Sequence, residues 1–145
     1  GGAMTLTLDC ARAVIDGALA HGRSVAAAPL AVVVLDAGGH PVAFAREDGA
    51  TFFRHEIAVA KAVGALGMGA DTRVLAERAK GNPLFFQSVS QAVGGRIAFS
   101  PGGVLIRADG IVIGAVGISG DTGDVDEAAA QAGLRAAGFA VEGQA

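Results

Sequence analysis

At 145 residues and a net charge of −3, with 52% apolar and 17% charged side chains, the chain reads as one domain with an aliphatic core. It has no Lys/Arg cluster, no basic–aromatic interleaving and no apolar run near the ~18 residues of a membrane span, which argues against nucleic acid and membranes as partners. A single cysteine, Cys10, rules out an intrachain disulfide and points to the cytoplasm.

Gly1-Gly2-Ala3 before Met4 has the look of an expression scar, which leaves 4–145 as a single domain. Thr7 caps a first helix, whose positive end suits Asp9 and which Gly22 stops. Leu30–Leu35 is apolar on both faces, the mark of a central strand. Asp36–Gly39 turns the chain and Pro41–Ala45 returns it as a hairpin partner. A second helix follows over about 51–67, and Asp71/Thr72 caps a third that ends at Gly81. Asn82-Pro83 opens a fourth, closed by Gly94-Gly95. Ile97-Ala98-Phe99 is offered as an additional short strand. Gly103–Arg107 and Ile111–Ser119 are strands joined at Asp109-Gly110, and a last helix covers about 125–138. Strands joined by tight turns are antiparallel, so the class is α+β: one antiparallel sheet flanked by helices.

The stretch GAVGISGDTGDVDE (Gly114–Glu127) invites sharper readings, and spacing rejects three of them. Its glycines do not fall as G-x-G-x-x-G, Asp121 stands where a nucleophile elbow needs glycine, and Gly123 and Val125 occupy positions where a calcium loop needs oxygen. A helix cap fits instead, with Asp124 and Glu127 spaced as a capping box and Asp126 in the first turn. Gly114 and Gly117 leave room on opposite faces of their strand, for the small-residue helix around Ala128–Gly133 or for a ligand.

Some residues do not suit a plain core. Lys61 sits alone in AVAKAVGAL, so it snorkels or pairs, with Asp48, Asp126 and Glu127 as the available carboxylates. His55 lies beside REDGA and Phe52-Phe53, a mixture of apolar wall and polar groups that suits a small-molecule pocket. His21 and His40 lie at a helix end and in a turn, positions that are ordinarily solvated. No paired His or Cys motif of a zinc site is present. Ser100-Pro101-Gly102-Gly103 offers backbone without side chains to an approaching group.

Taken together, VVVLDAGGHPVAFAREDGA, IAVAKA, GGVLI and GAVGISGDTGDVDEAAAQAGL resemble the GlcG/HbpS-like family of haem-binding proteins. They are also similar to the C-terminal domain of PduO-type corrinoid proteins. The resemblance implies a sheet of about five strands in a profilin/PAS-like layout. It also implies a homo-oligomer, dimer or octamer, and haem storage, sensing or degradation, with haem as cofactor. The matching positions are Arg46, Asp48, Gly49, Lys61, Gly102, Gly103, Ser119, Gly120, Asp126 and Glu127; Glu47 departs from the pattern, which has a hydrophobic residue there.

Three functions follow. As a haem binder, the chain uses His55 as iron ligand, or His40 in second place, with Arg46, Arg54 or Arg107 at the propionates and Phe52, Gly102, Gly103 and Ser119 around the cofactor. As a cofactor-independent enzyme on a small organic acid or aromatic intermediate, it holds the anion with Lys61 and Arg46 and moves protons with Asp48, His55 or Glu127. As an assembly module, it keeps Lys61 in a structural ion pair. An anionic small molecule or haem is the expected partner.

Overall fold

The computed structural model describes residues 5–141, so the reading of Gly1–Ala3 as a scar lies outside the described residues. Five helices and four strands follow in the order α1 (Leu8–Ser24), β1 (Ala31–Asp36), β2 (Pro41–Arg46), α2 (Phe53–Met68), α3 (Thr72–Gly81), α4 (Pro83–Ala92), β3 (Gly103–Ala108), β4 (Ile111–Ser119) and α5 (Gly123–Ala136). The strands form one antiparallel sheet in the order β2-β1-β4-β3.

Burial decides that order. Ala31 to Leu35 are all buried, so β1 must be covered on both faces and flanked on both edges. Val32 and Val34 face Leu30, Val116, Ile118, Ile106 and Leu134 beneath α1 and α5. Val33 and Leu35 face Ala58, Ala62, Ala65 and Leu105 beneath α2. No helix of the described chain is long and apolar enough to cross a membrane.

Four strands stand where the family resemblance implied about five. Ile97–Phe99 has no ladder partner; Ile97 is instead buried against Gly64 of α2, where a Cβ would lie 2.7 Å from its Cγ1. The approach to Gly117 also differs from expectation. The helix that closes on it is α2, whose Ala58 carbonyl occupies the place of a Cβ, while Gly114 receives Leu6. The small residues of α5 serve a different contact, since Gly133 lets the Val14 carbonyl of α1 approach.

Local caps were read correctly at one end and differently at the other. Thr7 accepts from the Cys10 N–H at 3.0 Å and caps α1 as expected. At α5, Thr122 is the cap, accepting from Val125 N–H at 3.3 Å, and Asp124 and Glu127 turn outward to Arg73 of α3. Asp71 precedes α3 but its side chain does not cap it. The carboxylate accepts from Leu105 N–H at 2.9 Å, and Thr72 Oγ1 accepts from Gly103 N–H at 2.8 Å, so both residues cover the outer edge of β3.

Candidate functional site

Helix α2 lies closely on the sheet because it meets glycine there. The Lys61 carbonyl packs where a Cβ of Gly103 would stand, just as the Ala58 carbonyl does at Gly117, and these two glycines are cross-strand partners. Such proximity carries the Lys61 side chain to the end of β4, where its ammonium donates to Ile118 O at 2.8 Å and Asp126 Oδ2 at 3.0 Å. Gly102, at φ +129°, makes room for it, since a Cβ would lie 2.8 Å from Nζ. The Lys61 and Asp126 side chains are 3% and 1% exposed, so the ion pair is enclosed by protein. Burial pulls the Lys61 ammonium below its ordinary value and pushes the Asp126 carboxyl up, each opposed in part by the charge of the other.

The remaining oxygens of this corner are bonded as well. Asp126 Oδ1 accepts from Asp121 N–H at 2.9 Å, and Asp121 Oδ2 accepts from Ala28 N–H at 2.7 Å. The backbone N–H groups of Ala28 and then Thr122 hold the Asp121 carboxyl below the usual carboxylate range. Ser119, fully buried, accepts from Arg54 Nη1 at 3.1 Å, which ties the first turn of α2 to the end of β4. Of the carboxylates weighed against Lys61, the structure selects Asp126. Glu127 bonds Arg73 at 2.8 Å and Asp48 lies elsewhere. Lys61, Gly102, Gly103 and Ser119 do not line the hollows at Arg46, at His55 or along α2 to Met68.

Arg46 and Asp48 line a charged hollow of about 430 Å³ with Arg23, Pro29 and Glu47. Glu47, the departure from the family pattern, is structural here: it pairs with Arg23 at 3.0 Å and accepts from Leu30 N–H at 2.8 Å. His40 is exposed beside Asp36, at the end of β1 opposite the Ala31–Ser119 pair and so away from the first turn of α2. The His40 backbone N–H is the largest cause of the lowered pKa of Asp36. Phe52 is 68% exposed and packs on Phe53 just before α2.

His55 is differently placed. It is the third residue of α2, and the Phe44 ring of β2 stands edge-on to it at 4.7 Å and 86°. Its Nδ1 lies 3.0 Å from Glu56 Oε1, a bond that also holds the Glu56 carboxyl below its ordinary range. A carboxylate only accepts, so Nδ1 carries the hydrogen of this bond, which leaves Nε2 as the nitrogen with a lone pair in the neutral imidazole. His55 and Glu56 open a hollow of about 290 Å³ whose walls are Val59, Ala60, Gly95 and Arg96. A second hollow of about 240 Å³ continues along α2 past Val63, Gly67 and Met68, walled by Val89 of α4, by Val93 just past its end and again by Arg96.

The two together form an apolar trough between α2 and the α4 side, with an imidazole at one end and an arginine at the junction. Their volumes, about 290 and 240 Å³, lie just below the ~300 Å³ at which small-molecule pockets begin, and they meet at Arg96. Added Cβ atoms at Gly67 or Gly95 would meet nothing within 4 Å, so the trough has open backbone on both sides. Of the trough residues, sequence reasoning singled out His55 alone as a site residue. Arg96, Val59, Val63 and Val93 were missed. One signal was present: from Ala58 to Met68 the only polar side chain of α2 is Lys61, so this stretch has no solvent face and must be covered beyond its contact with the sheet.

A nucleotide, phosphate or zinc motif is absent, and no group of three or more His, Cys, Asp or Glu able to hold a metal ion occurs among the described residues. The family model described as haem degrading protein HbpS-like matches residues 6–135. No curated protein matches. Among solved structures, the PduOC–haem complex is 25% identical with a TM-score of 0.86, covering 95% of this chain and 99% of that one. HbpS is 28% identical with a TM-score of 0.79 and coverage of 93% and 92%. The ORFY protein of Klebsiella pneumoniae is 25% identical with a TM-score of 0.84 and coverage of 94% and 93%. By the extent of the family match and the agreement of its fold, this chain belongs to the HbpS-like family of haem-degrading proteins.

Proposed function

We propose that the protein binds haem in the trough along α2, with His55 Nε2 as the iron ligand and Arg96 as the partner of the propionates. One observation carries this reading: an apolar trough begins at an accessible imidazole whose other nitrogen is already bonded to a carboxylate. The donor set suits the group. Haem iron accepts imidazole, the porphyrin needs aliphatic walls, and a guanidinium with no partner among the described residues suits a carboxylate. When bound, haem supplies an iron capable of redox and oxygen chemistry; the protein's residues hold and orient it. Both hollows open to solvent, and His55 is 47% exposed, which leaves a guest reachable by small reactants. That openness, with the family assignment, supports haem turnover over sealed storage.

The exposed Leu84 (76%), Phe85 (51%), Phe52 (68%) and Phe53 (64%) support the homo-oligomer that the family resemblance implies, to be read by sedimentation velocity.

Titration of the protein with haem tests the proposal. The expected result is a saturable Soret shift that His55→Ala abolishes and that Gly67→Leu, which fills open space in the trough, weakens at least tenfold. Binding unchanged in both variants refutes it, provided circular dichroism shows them folded.

A further inference from the structure

We propose that Glu56 is a positioning residue for His55, fixing which imidazole nitrogen faces the trough; this rests on the haem reading above. Adjacent residues on a helix do not ordinarily face each other. Here both side chains turn to meet at 3.0 Å, within the first turn of α2, and both line the same hollow. The imidazole is held from a second element too, by the edge-on Phe44 ring of β2. A ring fixed by one bond to a carboxylate and one aromatic contact loses little freedom on ligating a metal. Groups that orient a ligating histidine in this way are commonly worth 10–100-fold in metal affinity.

The trough offers no competing partner of this kind. Arg96 is the other charged residue lining the hollow at His55, and its positive charge cannot accept the Nδ1 hydrogen. The trough's remaining walls at that end are Val59, Ala60 and Gly95, which leave Glu56 as the group that sets the tautomer.

Two measurements on the whole chain test this. In the haem-free protein, the ¹⁵N shifts of the His55 ring are expected to show hydrogen on Nδ1, and Glu56→Ala is expected to move it to Nε2. In haem titrations, Glu56→Ala is expected to weaken ferric haem binding 10–100-fold and ferrous binding less, with Glu56→Gln between it and the wild type. Both residues are exposed, so the variants keep the fold, and circular dichroism checks this. A wild-type tautomer in Glu56→Ala, or wild-type ferric affinity, overturns the positioning role alone. Wild-type haem binding in His55→Ala instead overturns the ligand assignment beneath it, and the positioning role with it.

Discussion

The enclosed pair between Lys61 and Asp126 gives the most informative perturbation. At 3.0 Å two unit charges attract by about 5 kcal/mol at an effective dielectric of 20, while desolvation costs several kcal/mol per ion, so the intact pair contributes little net stability. Breaking it is another matter. Lys61→Met strands the Asp126 carboxylate with one remaining donor, Asp121 N–H, and Asp126→Leu strands an ammonium against Ile118 O. Each single variant is expected to lose about 3–5 kcal/mol. The double variant Lys61→Met/Asp126→Leu removes both charges and leaves the Ile118 carbonyl and Asp121 N–H short of a partner, a cost of about 2 kcal/mol. Independent effects would instead place it near 6–10 kcal/mol. Urea unfolding of the four proteins, read by two probes to verify two-state behaviour, completes the cycle. A double variant as unstable as the sum of the singles would refute the claim that the pair is a closed structural unit.

Other outcomes follow from the packing. Gly117→Ala drives a methyl into the Ala58 carbonyl and is expected to destabilise by about 3 kcal/mol, whereas Gly67→Ala, with open space at its Cβ, is expected to gain up to ~1 kcal/mol; thermal unfolding compares them. Ser119→Ala removes the acceptor of Arg54 at 3.1 Å and is expected to speed amide exchange in the first turn of α2, with about 1–3 kcal/mol lost. Asp121 has a lowered pKa, so its contribution is present above the unfolded carboxylate value and is lost as pH falls through the folded one. The stability gap between wild type and Asp121→Asn is therefore expected to close in acid, and equal gaps at pH 7 and pH 2 would contradict the bond to Ala28.

Local rules located most elements because their signals were local. Thr7 before an alanine-rich run, Asp109-Gly110 between apolar stretches and the doubly apolar Leu30–Leu35 each mark one element without help from distant residues. The failures share a cause. In Ser119-Gly120-Asp121-Thr122-Gly123-Asp124, four side chains are able to cap a helix, and the choice of Thr122 depends on Arg73 of α3 drawing Asp124 and Glu127 outward. Ile97–Phe99 has the composition of a strand, but a glycine more than thirty residues earlier gives Ile97 a better place. Lys61 was recognisable as misplaced, and its partner lay among three candidates, but the choice needed Gly102 and Gly103 to be seen beneath it. Arg96 follows two glycines in a loop and becomes notable only once α4 and α2 form the two walls of the trough.

The bare contact of α2 with Gly103 and Gly117 has a mechanical consequence. Backbone against backbone, with no side chain between to rotate or compress, cannot slide, so the helix and everything mounted on it behave as a stiff bench. The opposite wall is carried by Val89 of α4 and the exposed Val93 just past its end, which are free to drift in sequence without disturbing the core. Changes in the size of the accepted guest are thus expected to arise on that far wall, while the imidazole end stays put.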